Sequence, residues 1–380
     1  MEELLLRFTT YDRVILIILI FTLIVQFIYY LLIYTRVQLF DSKRKKITLI
    51  KEPVSIVICA RNEAENLTNY LPLILEQDYP NYEVLVVNDC SDDDSQDILE
   101  KLQEKYPHLR TTVIKHDEKF THGKKLALTL GIKGAKNEWL LLTDADCRPS
   151  GTQWLSIMQR NFTETNSIVL GYGGYNKEKG FLNKLIRFDA FFIALQYFSF
   201  ALIKVPYMGV GRNLAYRKSV FIRNKGFATH AHLQSGDDDL FVNEIGNGKN
   251  TTVEFDAEAH TYSVPKKKFR YWTNQKRRHF STSSLYKFKH KFLLSSELFS
   301  RFLFYACIIL LIINPNTWIV GVVAYIIRLI IQLIVFNGAM NRLKEKKLLL
   351  FSILFDIILP LISIFLYLVQ TSNSKHYRWK

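Results

Sequence analysis

The chain has 380 residues, of which 49% are hydrophobic and 22% are charged, and its formal net charge is +15. Because the hydrophobic residues are clustered, this length indicates one soluble domain with several membrane segments rather than two soluble domains. Ten Lys or Arg residues and no acid lie between Tyr262 and Phe292, just before an apolar segment, so we expect contact with membrane lipids and no nucleic acid partner.

The first apolar segment predicts a transmembrane helix. Val14–Tyr34 contains 21 residues without a charge, which is enough to cross a hydrocarbon core of roughly 30 Å at about 1.5 Å per residue. A cleaved signal peptide is the alternative, but it would have a shorter apolar region followed by small residues. Here basic residues follow at Arg36 and at positions 43–46. We therefore assign residues 1–40 to an N-terminal transmembrane helix and its juxtamembrane segment.

Predicted strands and helices alternate in the region that follows. Short apolar runs rich in β-branched residues are typical of strands that are buried on both faces. The predicted strands are Val54–Ala60, Tyr82–Val87, Thr112–Lys115 and Trp139–Thr143, and the predicted helices are Asn66–Leu75, Ser95–Lys105 and Lys124–Gly134. This alternation predicts an α/β fold with a mainly parallel sheet, which we place in a domain at residues 41–255.

Two acids stand directly after predicted strands. Asp89 follows the second strand and Asp144 the fourth, at the edge where open α/β sheets bind ligands. A helix cap or a turn is the alternative for each of them, but two acids at equivalent strand ends favour a site. In the pair Asp144-Ala145-Asp146, an extended backbone would point both carboxylates the same way. Paired carboxylates favour a hard cation such as Mg²⁺ or Mn²⁺, which keeps positions open for phosphates.

The remaining apolar segments extend to the end of the chain. Phe181–Val205 is interrupted by charges, which predicts an amphipathic helix in the membrane interface (about 181–205) rather than a further span. A basic interfacial segment is placed at 256–297, and C-terminal transmembrane helices with a tail at 298–380. The three predicted spans lie near Leu298–Ile313, Trp318–Phe336 and Leu349–Val369.

The distribution of Lys and Arg predicts the topology. Basic residues follow the first helix and recur at Arg342–Lys347, so both places are expected on the cytoplasmic side together with residues 36 to about 297. The basic tail Lys375–Lys380 would then lie on the opposite side of the membrane, against the preference of Lys and Arg for the cytoplasmic side. Arg328 and Asp356 fall within predicted spans, where charges are usually paired or functional. A structural ion pair is the preferred interpretation.

Seven motifs occur in the order found in one family of enzymes. They are VSIVICARNEAENL, EQDYPNYEVLVVNDCSDDDS, HGKKLALTLGIKGA, TDAD, GVGRNLAYRKS, SGDDDLFVNE and QKRRH. Residues 52–280 thereby resemble a family 2 glycosyltransferase, which implies the GT-A (Rossmann-like) nucleotide-sugar-binding fold. The resemblance is to the membrane-embedded subgroup that includes cellulose, chitin, hyaluronan and poly-N-acetylglucosamine synthases and ceramide glucosyltransferases.

The resemblance implies which side chains bind the nucleotide sugar and the metal. An acid at the end of the second strand would contact the uridine or its ribose, and a lysine at the start of the third helix would meet the diphosphate unless it is a solvated helix lysine. The metal ion, Mg²⁺ or Mn²⁺, would be held by Asp144 and Asp146. The implied donor-binding residues are Arg61, Asn62, Glu63, Asp89, Asp93, Lys124, Asp144, Gln275 and Arg278.

The catalytic base is expected in a run of three acids. Inverting glycosyl transfer requires a carboxylate that takes the proton of the acceptor hydroxyl. The run Gly236-Asp237-Asp238-Asp239 resembles the family motif whose second acid is the base. The spacing to Phe241 favours Asp238, with Asp237 as the second choice. A charged helix start is the alternative.

The expected function is inverting, metal-dependent transfer of a sugar from a nucleotide sugar, with UDP implied by the resemblance, to a lipid-linked or polysaccharide acceptor. His279 replaces the Trp of the family's Q-x-x-R-W motif, which favours a single transfer or a short glycan over processive synthesis. The alternative function is a non-catalytic nucleotide-sugar-binding or scaffold subunit of a polysaccharide synthase complex. We expect a multi-pass protein of the plasma (inner) membrane with a cytoplasmic catalytic domain, and possible partner subunits from an envelope synthesis system.

Overall fold

The structure is a computed structural model that describes residues 8–40, 51–115 and 123–372, with side chains described up to residue 369. The basic residues at 43–46, the domain boundary at 41 and the basic tail lie outside these ranges. The strands are β1 Val54–Ala60, β2 Tyr82–Asp89, β3 Leu109–Ile114, β4 Trp139–Asp144, β5 Cys147–Pro149, β6 Ile168–Gly171, β7 Gly173–Tyr175, β8 Leu214–Arg217, β9 Thr251–Glu254 and β10 Thr261–Ser263. The helices are α1 Thr10–Leu39, α2 Ala64–Leu75, α3 Ser95–Lys105, α4 Lys124–Gly134, α5 Trp154–Gln159, α6 Phe181–Leu202, α7 Lys218–Arg223, α8 Asp239–Ile245, α9 Phe269–Ser283, α10 Phe288–Ile313, α11 Trp318–Arg342 and α12 Leu349–Ser372.

A seven-stranded sheet with the order β3-β2-β1-β4-β8-β6-β9 forms the centre of the domain. Within it β8 runs antiparallel to both of its neighbours, and the other pairs are parallel. The sheet is therefore mixed and mainly parallel, as predicted. All seven residues of β1 are buried, because apolar clusters cover both faces of the sheet.

Successive residues of β1 contribute to opposite clusters. Ile56 and Ile58 pack with α2, α3 and α5 on one face, whereas Val57 and Cys59 pack with α4 on the other. This follows from the two-residue period of a strand. At Gly131 of α4, a Cβ atom would lie 2.7 Å from Val57 Cγ1, so the missing side chain lets the helix approach the sheet closely.

The position of β1 creates the crevice where ligands are expected. β2 and β4 lie on opposite sides of β1, so the chain order of the parallel strands reverses there. Open α/β sheets bind ligands outside the carboxyl ends of the strands at such a reversal. Asp144, the last residue of β4, pairs with Cys59 near the end of β1, which places it at this point.

A second sheet of three short strands, in the order β5-β10-β7, stands next to the end of β4. The chain turns at Ala145 and Asp146 between β4 and β5. The expectation that Asp144 and Asp146 share one extended strand is therefore wrong, because this turn starts the short strand of the second sheet. The Cys147 Sγ and Ser263 Oγ atoms are 2.9 Å apart, which ties β5 to β10.

Five helices are long and apolar enough to cross a membrane, judged by length and composition. Four of them, α1, α10, α11 and α12, correspond to the predicted spans. α10 begins at Phe288, about ten residues before its predicted start near Leu298. The charge of Glu297, just before the predicted span, does not end the helix, because Glu297 forms an ion pair with Arg301 one turn away inside it.

The fifth candidate, α6, lies between the sheet and the other candidate membrane helices. In its most apolar stretch 72% of the residues are buried in protein, against 33–39% in the other four helices. Phe188 and Phe191 contact Phe336 of α11, and Phe198 contacts Phe255 beyond β9. The helix therefore joins the α/β domain to the helix bundle. Its placement in the membrane interface stays a prediction.

Candidate active site

The side chains that converge at the crevice come from β4, α4 and the start of α8. The Lys124 Nζ atom lies 2.8 Å from Asp144 Oδ1 and 2.9 Å from Asp237 Oδ2. With Asp238 and Gly211, these residues line one cleft. Asp144 and Asp237, which lie about 20 and 110 residues after Lys124 in the sequence, are thus brought together around its ammonium group.

Lys124 is the first residue of α4 and follows Gly123. Burial favours its neutral amine, but the carboxylates of Asp144 and Asp237 raise the pKa of the ammonium well above its ordinary value. The side chain remains 21% exposed, so its charge is accessible from the cleft. The solvated helix lysine considered from the sequence is excluded, because Lys124 bridges two acids.

Asp237 and Asp238 differ in their contacts. Although burial opposes ionisation, Lys124 holds the pKa of the Asp237 carboxyl below its usual range. Asp238 Oδ2 accepts a hydrogen bond of 2.7 Å from the Gly211 N–H, and Asp238 Oδ1 accepts one of 2.7 Å from the Asp239 N–H. Burial, and then the negative charges of Asp237 and Asp239, raise the pKa of Asp238 to about 7.

Asp238 is also the N-cap of α8. The charged helix start that the sequence left open as an alternative is therefore present, and it is compatible with a site. Oδ1 caps the helix, while Oδ2 lies with Gly211 at the cleft. A carboxyl with a pKa near 7 in such a position is suited to general base catalysis.

Asp144 and Asp146 come together across the turn that separates β4 from β5. One ligand atom from each of them and the Cys147 Sγ lie within 4.8 Å of one another. Two carboxylates suit a hard divalent cation, whereas a thiol does not. Burial raises the pKa of Cys147 well above its ordinary value, so the thiol stays neutral. The residues that fit Mg²⁺ or Mn²⁺ are therefore Asp144 and Asp146.

The loop after β1 carries three of the predicted donor-binding residues, Arg61, Asn62 and Glu63. Asn62 has a positive φ of 54°, and its Oδ1 accepts a hydrogen bond of 2.8 Å from the Asp92 N–H. Burial, and then the charge of Asp146, raises the pKa of Glu63. Asn62 links this loop to the loop that follows β2.

Asp89 and Asp93 lie at and beyond the end of β2. Asp89 is the last residue of the strand and is fully buried. The Asp93 carboxylate accepts hydrogen bonds from the Ala64 and Ser95 N–H groups, at 3.0 and 3.1 Å. Asp93 therefore holds the starts of two helices. Its contact with a nucleotide, like that of Asp89, stays a prediction.

Helix α9 carries the segment that resembles Q-x-x-R-W. The Gln275 Nε2 atom lies 3.4 Å from the Tyr175 hydroxyl. The charge of Arg278 lies close enough to contribute to the lowered pKa of Asp237. His279 is exposed, whereas the nearby Trp272 is buried. The ring centres of Trp272 and Phe269 are 5.4 Å apart.

Two groups of residues near the cleft were missed from the sequence. The guanidinium of Arg212 lies 4.3 Å from the Tyr175 ring centre, and its charge opposes the raised pKa of Asp146. Its place in the GVGRNLAYRKS motif was a signal that could have identified it. The other group consists of Thr282 and Tyr286, whose hydroxyls donate to Asp239. No local pattern marks a contact across more than 40 residues.

Comparison with known proteins agrees with this fold. The sequence model for "Glycosyl transferase family 2" matches residues 55–224. The mannosyltransferase PcManGT from Pyrobaculum calidifontis, solved with GDP-Man and Mn²⁺, superposes with a TM-score of 0.57 over 88% of this chain and 99% of that chain, at 19% identity. The identity is low, so this likeness concerns the fold.

Two curated relatives each match about a third of this chain. Poly-beta-1,6-N-acetyl-D-glucosamine synthase of Staphylococcus epidermidis is 30% identical over 132 residues, which cover 32% of this chain and 29% of the relative. The UDP-Glc:alpha-D-GlcNAc-diphosphoundecaprenol beta-1,3-glucosyltransferase WfaP of Escherichia coli is 29% identical over 134 residues, which cover 34% of this chain and 49% of WfaP. The matches thus span less than half the length of each relative.

The sequence model relates residues 55–224 to glycosyl transferase family 2, and the superposition relates the fold to that of PcManGT. The chain therefore has a fold of the GT-A type, joined to apolar helices that are candidates to span a membrane.

Proposed function

We propose that this protein transfers a sugar from a nucleotide sugar, expected to be a UDP-sugar, to a lipid-linked or glycan acceptor. The observation that carries the proposal is the convergence of Asp144, Lys124 and the pair Asp237 and Asp238 in one cleft. The cleft combines carboxylates for a cation, an ammonium for a diphosphate, and a carboxyl whose pKa is about 7 for a base. Inverting glycosyl transfer requires a base for the acceptor hydroxyl and positive charge for the departing diphosphate.

In the proposed reaction the bond between the anomeric carbon and the diphosphate oxygen breaks, and a bond to the acceptor oxygen forms. Asp238 takes the proton of the acceptor hydroxyl as that oxygen attacks. The nucleoside diphosphate leaves with the electron pair, and its charge is stabilised by Lys124 and Arg278. A Mg²⁺ or Mn²⁺ ion held by Asp144 and Asp146 would neutralise diphosphate charge when bound.

The choice of acceptor class rests on the helix bundle and on one relative. Helix α6 packs directly against both the sheet and the apolar helices, so the cleft belongs to a body that is continuous with the candidate membrane spans. WfaP is named for a diphosphoundecaprenol-linked acceptor. We therefore place the reaction at a membrane surface, on the cytoplasmic side of the plasma (inner) membrane, where the basic loop Arg342–Lys347 favours the same orientation.

The test is release of nucleotide by the purified full-length protein in lipid nanodiscs, with Mn²⁺ or Mg²⁺ and a panel of UDP- and GDP-sugars. We expect one donor to be consumed, faster when an isolated polyprenyl-diphosphate sugar fraction is supplied, and consumption to stop when a chelator is added. No turnover of any donor by a protein that still binds UDP would favour the non-catalytic subunit.

A further inference from the structure

The short helix that begins at the proposed base is bonded to the segment where the chain enters the helix bundle. Asp238 caps α8, and the side chains of Asp239 and Asn243 bond to residues 282–290, which run from the last turn of α9 into the first turn of α10. We call residues 282–290 the membrane-entry segment. Three residues of α8 contact it, and their contacts span the whole length of the helix.

Asp239 makes the contact nearest to the base. Its Oδ2 accepts hydrogen bonds from the Thr282 hydroxyl and, at 2.7 Å, from the Tyr286 hydroxyl. All three side chains are buried, with exposures of 3%, 0% and 8%. Buried hydrogen bonds to a carboxylate are stronger than those between neutral groups. Asp239 is therefore fixed to the membrane-entry segment rather than turned toward the cleft.

Asn243, one turn further along α8, extends the same contact. Its Oδ1 accepts a hydrogen bond of 3.0 Å from the Lys287 N–H. Its Nδ2 lies 2.8 Å from the Tyr207 carbonyl oxygen and 2.9 Å from His290 Nδ1. The Lys287 ammonium also donates to the Glu244 carbonyl oxygen at 2.8 Å. Helix α8 has only seven residues, so these contacts fix its position.

We propose that the membrane-entry segment positions the catalytic base, with Asp239, Thr282, Tyr286 and Asn243 as positioning residues. A seven-residue helix has little stability of its own. The direction of the Asp238 carboxylate therefore depends on where Thr282 and Tyr286 hold its neighbour. Because residue 288 is already part of α10, the base is coupled to the seating of that helix in the membrane. The catalytic part of this inference rests on the proposed function.

The experiment compares Thr282→Val, Tyr286→Phe and their double variant with wild type in lipid nanodiscs. Thr282→Ser keeps the hydroxyl and serves as the rescue variant. Ser283→Ala is the matched control, because its hydroxyl bonds to the Phe280 carbonyl oxygen of its own helix at 2.9 Å, as the Thr282 hydroxyl also does at His279. Two quantities are measured: steady-state kinetics with the donor, and hydrogen exchange of peptides covering α8.

We expect the double variant to lose about 10- to 100-fold in kcat with little change in the KM for the donor, because a displacement of about 1 Å costs about that much. Exchange of α8 should become faster while α3 stays unchanged, and Thr282→Ser and Ser283→Ala should behave as wild type. Wild-type kcat and wild-type exchange in the double variant would overturn the proposal, as would an equal loss in Ser283→Ala.

The exchange measurement separates the two proposals. If wild type turns over no donor, the proposed function fails, and unchanged exchange of α8 in Tyr286→Phe or in the double variant would still overturn the positioning role. If the double variant does not fold, as judged by loss of UDP binding, the single variants carry the same comparison.

Discussion

Two adjacent carboxyl groups at the centre of the cleft have different electrostatic surroundings. Asp237 pairs with Lys124 at 2.9 Å, so its negative charge is held and its pKa is lowered. Asp238 receives two backbone N–H groups but no cation at ion-pair distance within the described residues, and its pKa rises to about 7. Environments that separate the pKa values of neighbouring acids are a way to assign different catalytic roles to them.

The first prediction concerns these two residues. Asp238→Asn should lower kcat by about 10²–10⁴-fold while donor binding is retained, because general base catalysis contributes about that much. Asp237→Asn should weaken donor binding, because Lys124 loses one of the two carboxylates that hold it in the cleft, and should leave kcat within about tenfold of wild type. Steady-state kinetics with the preferred donor, together with UDP titrations, measure both effects.

The pH profile of wild type supplies a second observable for the same prediction. The carboxyl of Asp238 must lose its proton to act as a base, and its pKa in the folded protein is raised to about 7. The kcat/KM should therefore rise with pH up to about 7 and level off above it. A flat profile between pH 5 and 8, or loss of transfer in Asp237→Asn while Asp238→Asn stays active, would show that Asp238 is not the base.

At the scale of residues, motif spacing identified the acids but not their partners. The choice of Asp238 over Asp237 followed from its distance in sequence to Phe241. The pairing of Lys124 with Asp237 joins positions more than 100 residues apart, and no local pattern encodes it. Arg212 stands in the GVGRNLAYRKS motif, but its relation to Asp146 depends on the turn between β4 and β5, which the motif does not encode.

At the scale of elements, four charged residues join the helices of the bundle. Arg301 of α10 pairs with Glu297 one turn away and with Asp356 of α12 at 3.1 Å, and Arg328 of α11 pairs with Asp356 at 2.9 Å. The guanidinium of Arg328 also donates to Gln26 Oε1 of α1 at 3.1 Å. Two positive and two negative charges therefore compensate one another inside the bundle.

A prediction for stability follows from this network. Asp356→Asn should destabilise the folded protein by roughly 3–5 kcal/mol, because Arg328 would keep its buried charge without a carboxylate. Ser352→Ala, one turn away on α12, is the matched control, since the Ser352 hydroxyl bonds only to Leu349 of its own helix among the described residues. Thermal unfolding in detergent measures both. An Asp356→Asn variant that melts with wild type would contradict the structural role of the network.

The charged residues of this network also show which features of the bundle can be predicted from the sequence. The sequence placed Arg328 and Asp356 within apolar spans and favoured a structural ion pair for such charges, but it did not show whether the two pair with each other, as they do in the structure. It misplaced the start of α10, because Glu297 interrupts the apolar run and its pairing with Arg301 is not visible in the sequence. Which residues pair across helices depends on how each helix is rotated about its own axis. The mean hydropathy of a segment carries no information on that rotation.

At the scale of the whole molecule, the α/β domain and the candidate membrane helices share one apolar core that includes β1, α4, α6 and α11. The alternation of strands and helices sufficed to predict the first four parallel strands and their covering helices. The return strand β8, the short strands β6 and β9, and the three-stranded sheet were not predicted, because they have three or four residues each. Such short runs carry too little periodicity to be distinguished from loops.

The central claim is that the cleft at the end of β4 performs metal-dependent glycosyl transfer. The most direct measurement is donor turnover and Mn²⁺-dependent donor binding by Asp146→Ala in lipid nanodiscs, beside Asp97→Ala, which removes an exposed acid of α3. We predict that Asp146→Ala abolishes transfer and metal-dependent binding while Asp97→Ala matches wild type. Full transfer by Asp146→Ala would contradict the metal site, and with it the proposed chemistry of the cleft.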